Sequence, residues 1–186
     1  MSVAHRIYNF EDLEDTPDDG NRYEIIWGQM IVSPVPPLVH QEVLGRLVVW
    51  LTTYVWDRKL GEVHLGPVEV RLSPHNSVQP DIVFVSSDRF GIQRQTHIEG
   101  APDLVVEVLS DHTRRMDLIQ KQALYAMAGV PEYWIVDLND RTLSVLTLVD
   151  GQYDVVATDD GMVRSLVVPG FEIAVADVFA DLMGQD

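Results

Sequence analysis

"APDLVVEVLSDHTRRMDLIQKQALYAMAGVPEYWIVD", residues 101–137, is the stretch on which the fold turns. It reads as an apolar strand over 103–109, a helix near 114–128 closed by Gly129, and a second strand at 132–137. Glu107 sits in the middle of the first strand. Side chains alternate along a strand, so Asp103, Val105, Glu107 and Leu109 share one face and Leu104, Val106 and Val108 the other. Glu107 therefore points where the apolar pattern calls for packing. A lone buried carboxylate costs several kcal/mol unless it is paired, protonated or bound to a metal. Glu107 needs a partner.

Working outward, "RYEIIWGQMIVSPVP" (22–36) reads as a hairpin around Trp27-Gly28, stopped by Pro34, Pro36 and Pro37. From Leu38 to about Arg58 the period is helical, with His40, Val43, Leu44, Leu47, Leu51 and Tyr54 on one face and Gly61 as a stop. Residues 62–72 read as a strand bent at Gly66-Pro67, 73–77 as a turn, 79–87 as a short buried strand and 88–100 as a polar loop. Beyond 137 come a hairpin turning at Asp150-Gly151, then a strand and short helix over 171–183. The order helix-strand-strand-strand-helix-strand predicts an α/β fold with a mixed sheet and added hairpins at both ends. One domain over 1–186 is expected: an acidic lead-in at 1–20, a core at about 38–138, and a hairpin and tail at 139–186.

The chain has no cysteine, which excludes disulfides and thiolate metal sites. No run reaches the roughly 18 apolar residues of a membrane helix, and the N-terminus lacks a basic start followed by an apolar core. A soluble, cytoplasmic protein is expected. Thirteen basic residues against 29 acidic ones give a net charge of −16, so this is no general nucleic-acid coat. Any polyanion it handles must meet a local basic patch, a metal, or both. His5, His64, His75, His97 and His112 show no zinc spacing, and neither "GxxxxGK" nor "GxGxxG" occurs.

Pro80-Asp81 and Pro102-Asp103 open the two central strands, where proline suits a first residue. Asp81 and Glu107, on neighbouring strands, can converge on a hard cation such as Mg2+. Lys121 is the basic residue best placed to join them. Asp81 after a proline, Glu107 in a later strand and a nearby lysine resemble the PD-(D/E)XK nuclease superfamily. With "HQEVLGRL", "VQPDIVFV", "APDLVVEVLS" and "DLIQKQALYAMAGVPEYWIVD", roughly residues 20–180 resemble its Uma-two family of bacterial endonucleases.

That resemblance implies a restriction endonuclease-like core and Mg2+- or Mn2+-dependent cleavage of DNA phosphodiester bonds. It implies Asp81, Glu107 and the Val108 carbonyl as metal ligands, with Lys121 catalytic. Glu24 and His40 also match family positions. The chain departs from the motif at Leu109, where the lysine is usually found, so Lys121 has to reach in from the helix. Two helical stripes compete to face the sheet: Arg114, Leu118, Lys121, Tyr125 and Ala128, or Met116, Ile119, Ala123 and Met127. Periodicity leaves the choice open. The second would turn Lys121 to solvent and favour an inactive nuclease-fold module that serves as a binding subunit. Glu107 could also be a structural acid paired with Arg71 or Lys121, with Asp117 an ion-pair partner of Lys121. Asp103 reads as a structural acid facing loop N–H groups. Trp27, Trp50, Trp56 and Trp134 read as core or interface. The two-faced helix and the surplus hairpins point to a homodimer.

Overall fold

The structure, a computed structural model, describes residues 6–110, 114, 116–156 and 160–182, with only the backbone of Met116 and Asp117. His5, His112, the Asp117 side chain and the end of the second hairpin at 157–158 lie outside the described residues.

Strands β1 (Arg22–Ile26) and β2 (Gln29–Ser33) form the expected hairpin. Its two turn residues, Trp27 and Gly28, both have left-handed φ values of 54° and 72°, the twist that a two-residue hairpin turn needs. Helix α1 (Leu38–Arg58) buries His40, Val43, Leu44, Leu47, Leu51 and Val55, the predicted stripe with Val55 in place of Tyr54. Lys59, not Gly61, ends it: φ turns to 56° and its N–H returns to the Val55 and Trp56 carbonyls.

The stretch at 62–72 is two strands. The Gly66-Pro67 bend separates β3 (Gly61–Leu65) from β4 (Glu69–Ser73) and sends them into different sheets. The expected turn at 73–77 runs into β5 (Asn76–Val78), and β6 (Ile82–Ser86) follows. The loop at 88–100 contains a 3-10 turn, Ser87–Ile92, and β7 (His97–Glu99), which runs parallel to β4. Then come β8 (Leu104–Leu109), α2 (Gln122–Ala128), β9 (Glu132–Asp137), and the hairpin of β10 (Thr142–Val149) and β11 (Gln152–Val156). β12 (Met162–Arg164), which the sequence reading passed over, pairs with β13 (Glu172–Ala174) ahead of the short α3 (Val175–Val178). The acidic lead-in is also partly ordered. Phe10–Asp15 is a 3-10 turn whose first residues are held by Asn9, since its side chain accepts the Glu11 N–H and its own N–H goes to Asp12.

Beside the two-stranded β12-β13 sheet, two larger sheets result, ordered β2-β1-β5-β4-β7 and β11-β10-β9-β8-β6-β3. The second is mixed. β8 and β9 run parallel, and β3, β6 and β10 run antiparallel to their neighbours. Read along the chain, α1, β3, β6, β8, α2 and β9 supply the predicted core order. One face of the six-stranded sheet (Ile82, Phe84, Leu104, Val106, Val108, Trp134) packs on α1 and the C-terminal segment. The other (Val83, Val85, Val105, Leu109, Ile135) packs on Leu124 and Tyr125 of α2 and on the five-stranded sheet. The alternation read from β8 thus sorts its residues correctly between two cores. Trp134 belongs to the first core, whereas Trp27 and Trp56 are exposed. Among the described residues no helix is long and apolar enough to cross a membrane.

The helix near 114–128 is not uniform. Met116–Lys121 winds as a π-turn before α2 begins, and Gly129 at φ 81° caps the end. A wider turn of this kind is invisible to a 3.6-residue period.

Candidate functional site

Asp81 immediately precedes β6, which pairs antiparallel with β8 through Ile82 and Val106. Its carboxylate bonds across to β8, where Oδ2 accepts the Val108 N–H at 2.8 Å, beside Glu107. Oδ1 accepts from Arg22 Nη2 at 2.9 Å, and Oδ2 lies 3.1 Å from His40 Nε2 at the start of α1. The Asp81 side chain is 2% exposed. Burial alone would raise its pKa. The His40 hydrogen bond, the Arg22 charge and the Val108 N–H outweigh burial and hold it at about 2. Behind Asp81, the Gly66 N–H donates to its carbonyl at 2.8 Å. A Cβ at Gly66 would stand 2.4 Å from the Pro80 carbonyl oxygen, so only glycine allows this approach.

Glu107, on the α2 side of β8, accepts from Lys121 Nζ at 2.9 Å and from the Tyr125 hydroxyl at 2.7 Å. Burial, then the Glu107 charge, push the Tyr125 phenol well above its ordinary range, which keeps it a donor. Lys121 Nζ also lies 2.9 Å from Glu24 Oε1, which accepts the Gln79 N–H at 2.7 Å. Lys121 is 1% exposed, whereas Ile119 and Met127 are 60% and 61% exposed. The stripe carrying Lys121 and Tyr125 faces the sheet. Arg71, the other partner weighed for Glu107, turns to Glu69 instead, at 2.8 and 3.0 Å.

Arg22, His40, Asp81, Glu107, Val108 and Lys121 line one cavity of about 40 Å3, together with residues 34–37. Glu24 joins through Lys121. Leu109 is buried in the apolar core, away from any role for the missing lysine. Asp103 accepts the Ser86 N–H and an Arg89 guanidinium N–H, at 2.8 and 3.1 Å, a structural duty as expected. Two members escaped the sequence reading. Arg22 lies two residues before Glu24, on the same face of β1. Tyr125 lies one turn after Lys121 on the same stripe. Both spacings were available as signals.

The donor set suits a hard cation: two carboxylates and the Val108 backbone offer oxygen ligands, and such ions keep several waters. The cavity exceeds the roughly 10–15 Å3 that one water needs. Among the described residues no group of three or more His, Asp or Glu could hold an ion, so such a site would depend on the backbone and on water. His40 Nδ1 is buried without a hydrogen-bond partner.

A family described as "Putative restriction endonuclease", Uma2, matches residues 9–176. A solved structure of a putative nuclease belonging to DUF820, from Anabaena variabilis ATCC 29413, superposes with a TM-score of 0.77 over 92% of this chain and 97% of that one. At 19% identity the likeness establishes a common fold, of the restriction endonuclease-like type. No curated protein matches the chain.

Proposed function

The chain belongs to the Uma2 family of putative restriction endonucleases, and on that premise we propose that it is a metal-dependent endonuclease that hydrolyses DNA phosphodiester bonds. The observation that carries this reading is the meeting of Asp81, Glu107 and Lys121 on one buried cavity. Mg2+ or Mn2+ would be held by the Asp81 and Glu107 carboxylates and the Val108 carbonyl. Bound there, it would supply an activated water and positive charge against the phosphate.

The chain's own residues do the positioning. Glu24 and Glu107 hold the Lys121 ammonium between them at 2.9 Å each. From there it can donate to the attacking water or to a phosphoryl oxygen on which charge builds. His40 fixes one oxygen of Asp81. Tyr125 fixes one oxygen of Glu107 and excludes water from the apolar side.

Leu109 and the net charge of −16 speak for a non-catalytic module, but Lys121, buried within 2.9 Å of Glu107 and of Glu24, does not favour it. A homodimer belongs to the proposal, with Ile119 and Met127 as the apolar surface a second copy would cover. The test is nicking of supercoiled plasmid with Mg2+ and Mn2+ at low salt, wild type beside Asp81→Ala, Glu107→Ala and Lys121→Ala. Metal-dependent nicking lost in all three variants is expected. Absence of wild-type nicking, or nicking that survives Glu107→Ala, overturns the reading.

A further inference from the structure

We propose that Arg22 is the residue that grips the substrate phosphate, held on Asp81 in the resting protein and released to the phosphodiester when a divalent cation takes its place on that carboxylate. The proposal rests on the nuclease reading above.

The occupied Asp81 carboxylate sets up an exchange. Asp81, Glu107 and Glu24 face Arg22 and Lys121 at hydrogen-bonding distance, nearly out of water. Three carboxylates against two cations leave the set negative, so a divalent ion is drawn in. On Asp81 it meets Oδ2 already facing His40 and the Val108 N–H, and Oδ1 held by Arg22, so metal and Arg22 compete for the same carboxylate.

Lys121 is the poorer candidate for displacement. Two carboxylates hold it at 2.9 Å each, and its side chain is 2% exposed. Arg22 donates one bond, to one carboxylate, and its side chain is 19% exposed. Arg22 also stands between two spaces. It lines the inner cavity of about 40 Å3 and an outer groove of about 160 Å3, and the two share Pro34, Val35 and Pro36. The outer groove is lined by Gln41, Gln79, Asn21 and apolar or glycine residues, with no acidic side chain. On a chain of net charge −16 that is a place where a polyanion can approach. A guanidinium turned from Asp81 into the groove would meet a phosphate with its planar fork of donors, the geometry that favours bidentate contact.

The test measures metal and duplex binding separately, without turnover. Mn2+ uptake by wild type, Arg22→Gln and Arg22→Lys is followed by the electron paramagnetic resonance of free Mn2+ in the absence of DNA. Binding of a labelled DNA duplex is followed by fluorescence anisotropy in Ca2+. Arg22→Gln is expected to bind Mn2+ roughly tenfold tighter, because a competing cation is gone, and the duplex roughly tenfold more weakly. Arg22→Lys is expected to keep wild-type Mn2+ affinity and still lose duplex affinity, because a point charge lacks the fork.

Mn2+ binding that is equal in wild type and Arg22→Gln, or duplex binding unchanged by either variant, overturns the proposal alone. A wild type that takes up no Mn2+ overturns the nuclease reading and this proposal with it. Circular dichroism checks each variant's fold. If Arg22→Gln fails to fold, Arg22→Lys decides: wild-type duplex affinity in it overturns the proposal.

Discussion

Lys121 Nζ and Glu24 Oε1 lie 2.9 Å apart, though one belongs to the π-turn before α2 and the other to the N-terminal hairpin. Their contact ties the five-stranded sheet to the helix that crosses from β8 to β9. The pocket is therefore a junction of separate chain segments, and its stability and its chemistry share the same side chains.

Lys121→Met leaves two buried carboxylates facing each other without their cation. Breaking a buried pair in this way costs roughly 3–5 kcal/mol. Urea unfolding is expected to show that loss, together with abolished nicking. Lys121→Arg is expected to recover neither fully, since a planar fork does not fit the place of a compact ammonium. Wild-type stability in Lys121→Met would contradict the contact.

Acid should attack the site through Asp81. Its folded pKa, about 2, lies below the usual 3.8. The group's contribution is therefore complete above 3.8 and is lost as the pH falls through about 2. A shift of this size corresponds to about 2 kcal/mol. Urea midpoints measured from pH 5 down to pH 2 are expected to fall more steeply for wild type than for Asp81→Asn. Parallel acid limbs would show that Asp81 is not held down.

Glu132 provides the contrast. It is fully buried, yet its partners are the Trp134 indole, the Ser165 hydroxyl and the Leu166 N–H, which staple the C-terminal segment to β9. Glu132→Gln leaves at least one donor without its acceptor, at a cost of about 1–3 kcal/mol. Lower stability with unchanged nicking per folded molecule is expected, as read by urea unfolding and plasmid assay on the same preparation.

The dimer has its own test. Ile119→Glu combined with Met127→Glu places charge on the outer stripe of the helix without touching the pocket. Light scattering is expected to show twice the chain mass for wild type and the single mass for the double variant. A monomeric wild type ends the dimer proposal.

The sequence carried the fold class and the meeting of Asp81, Glu107 and Lys121, but not every strand around them. Glu107 was legible because a charge interrupted an alternating apolar strand, and Asp81 because it opened the neighbouring strand. Lys121 was legible only as one of two options. Its helix has apolar residues on both stripes, and packing against Val105 and Leu109 made the choice. Arg22 was missed because an arginine at the start of a hairpin strand resembles any solvated edge residue until Asp81, distant in sequence, arrives beside it. β4 was fused with β3 because both have strand character. What separates them is the pairing of β4 with β5 and β7, contacts that only the folded chain makes. β12 has three residues and owes its form to β13.

Gly66 carries no side-chain chemistry, yet its lack of a side chain lets one strand's end press against the backbone that presents Asp81. In a library varied at every position and sorted by plasmid nicking, position 66 should tolerate as little change as position 81. An alanine there would push the carboxylate off its mark while leaving most of the two cores intact. Sensitivity to mutation on this chain thus follows backbone clearance as well as chemistry, and a map of intolerant positions would extend beyond the residues that do the work.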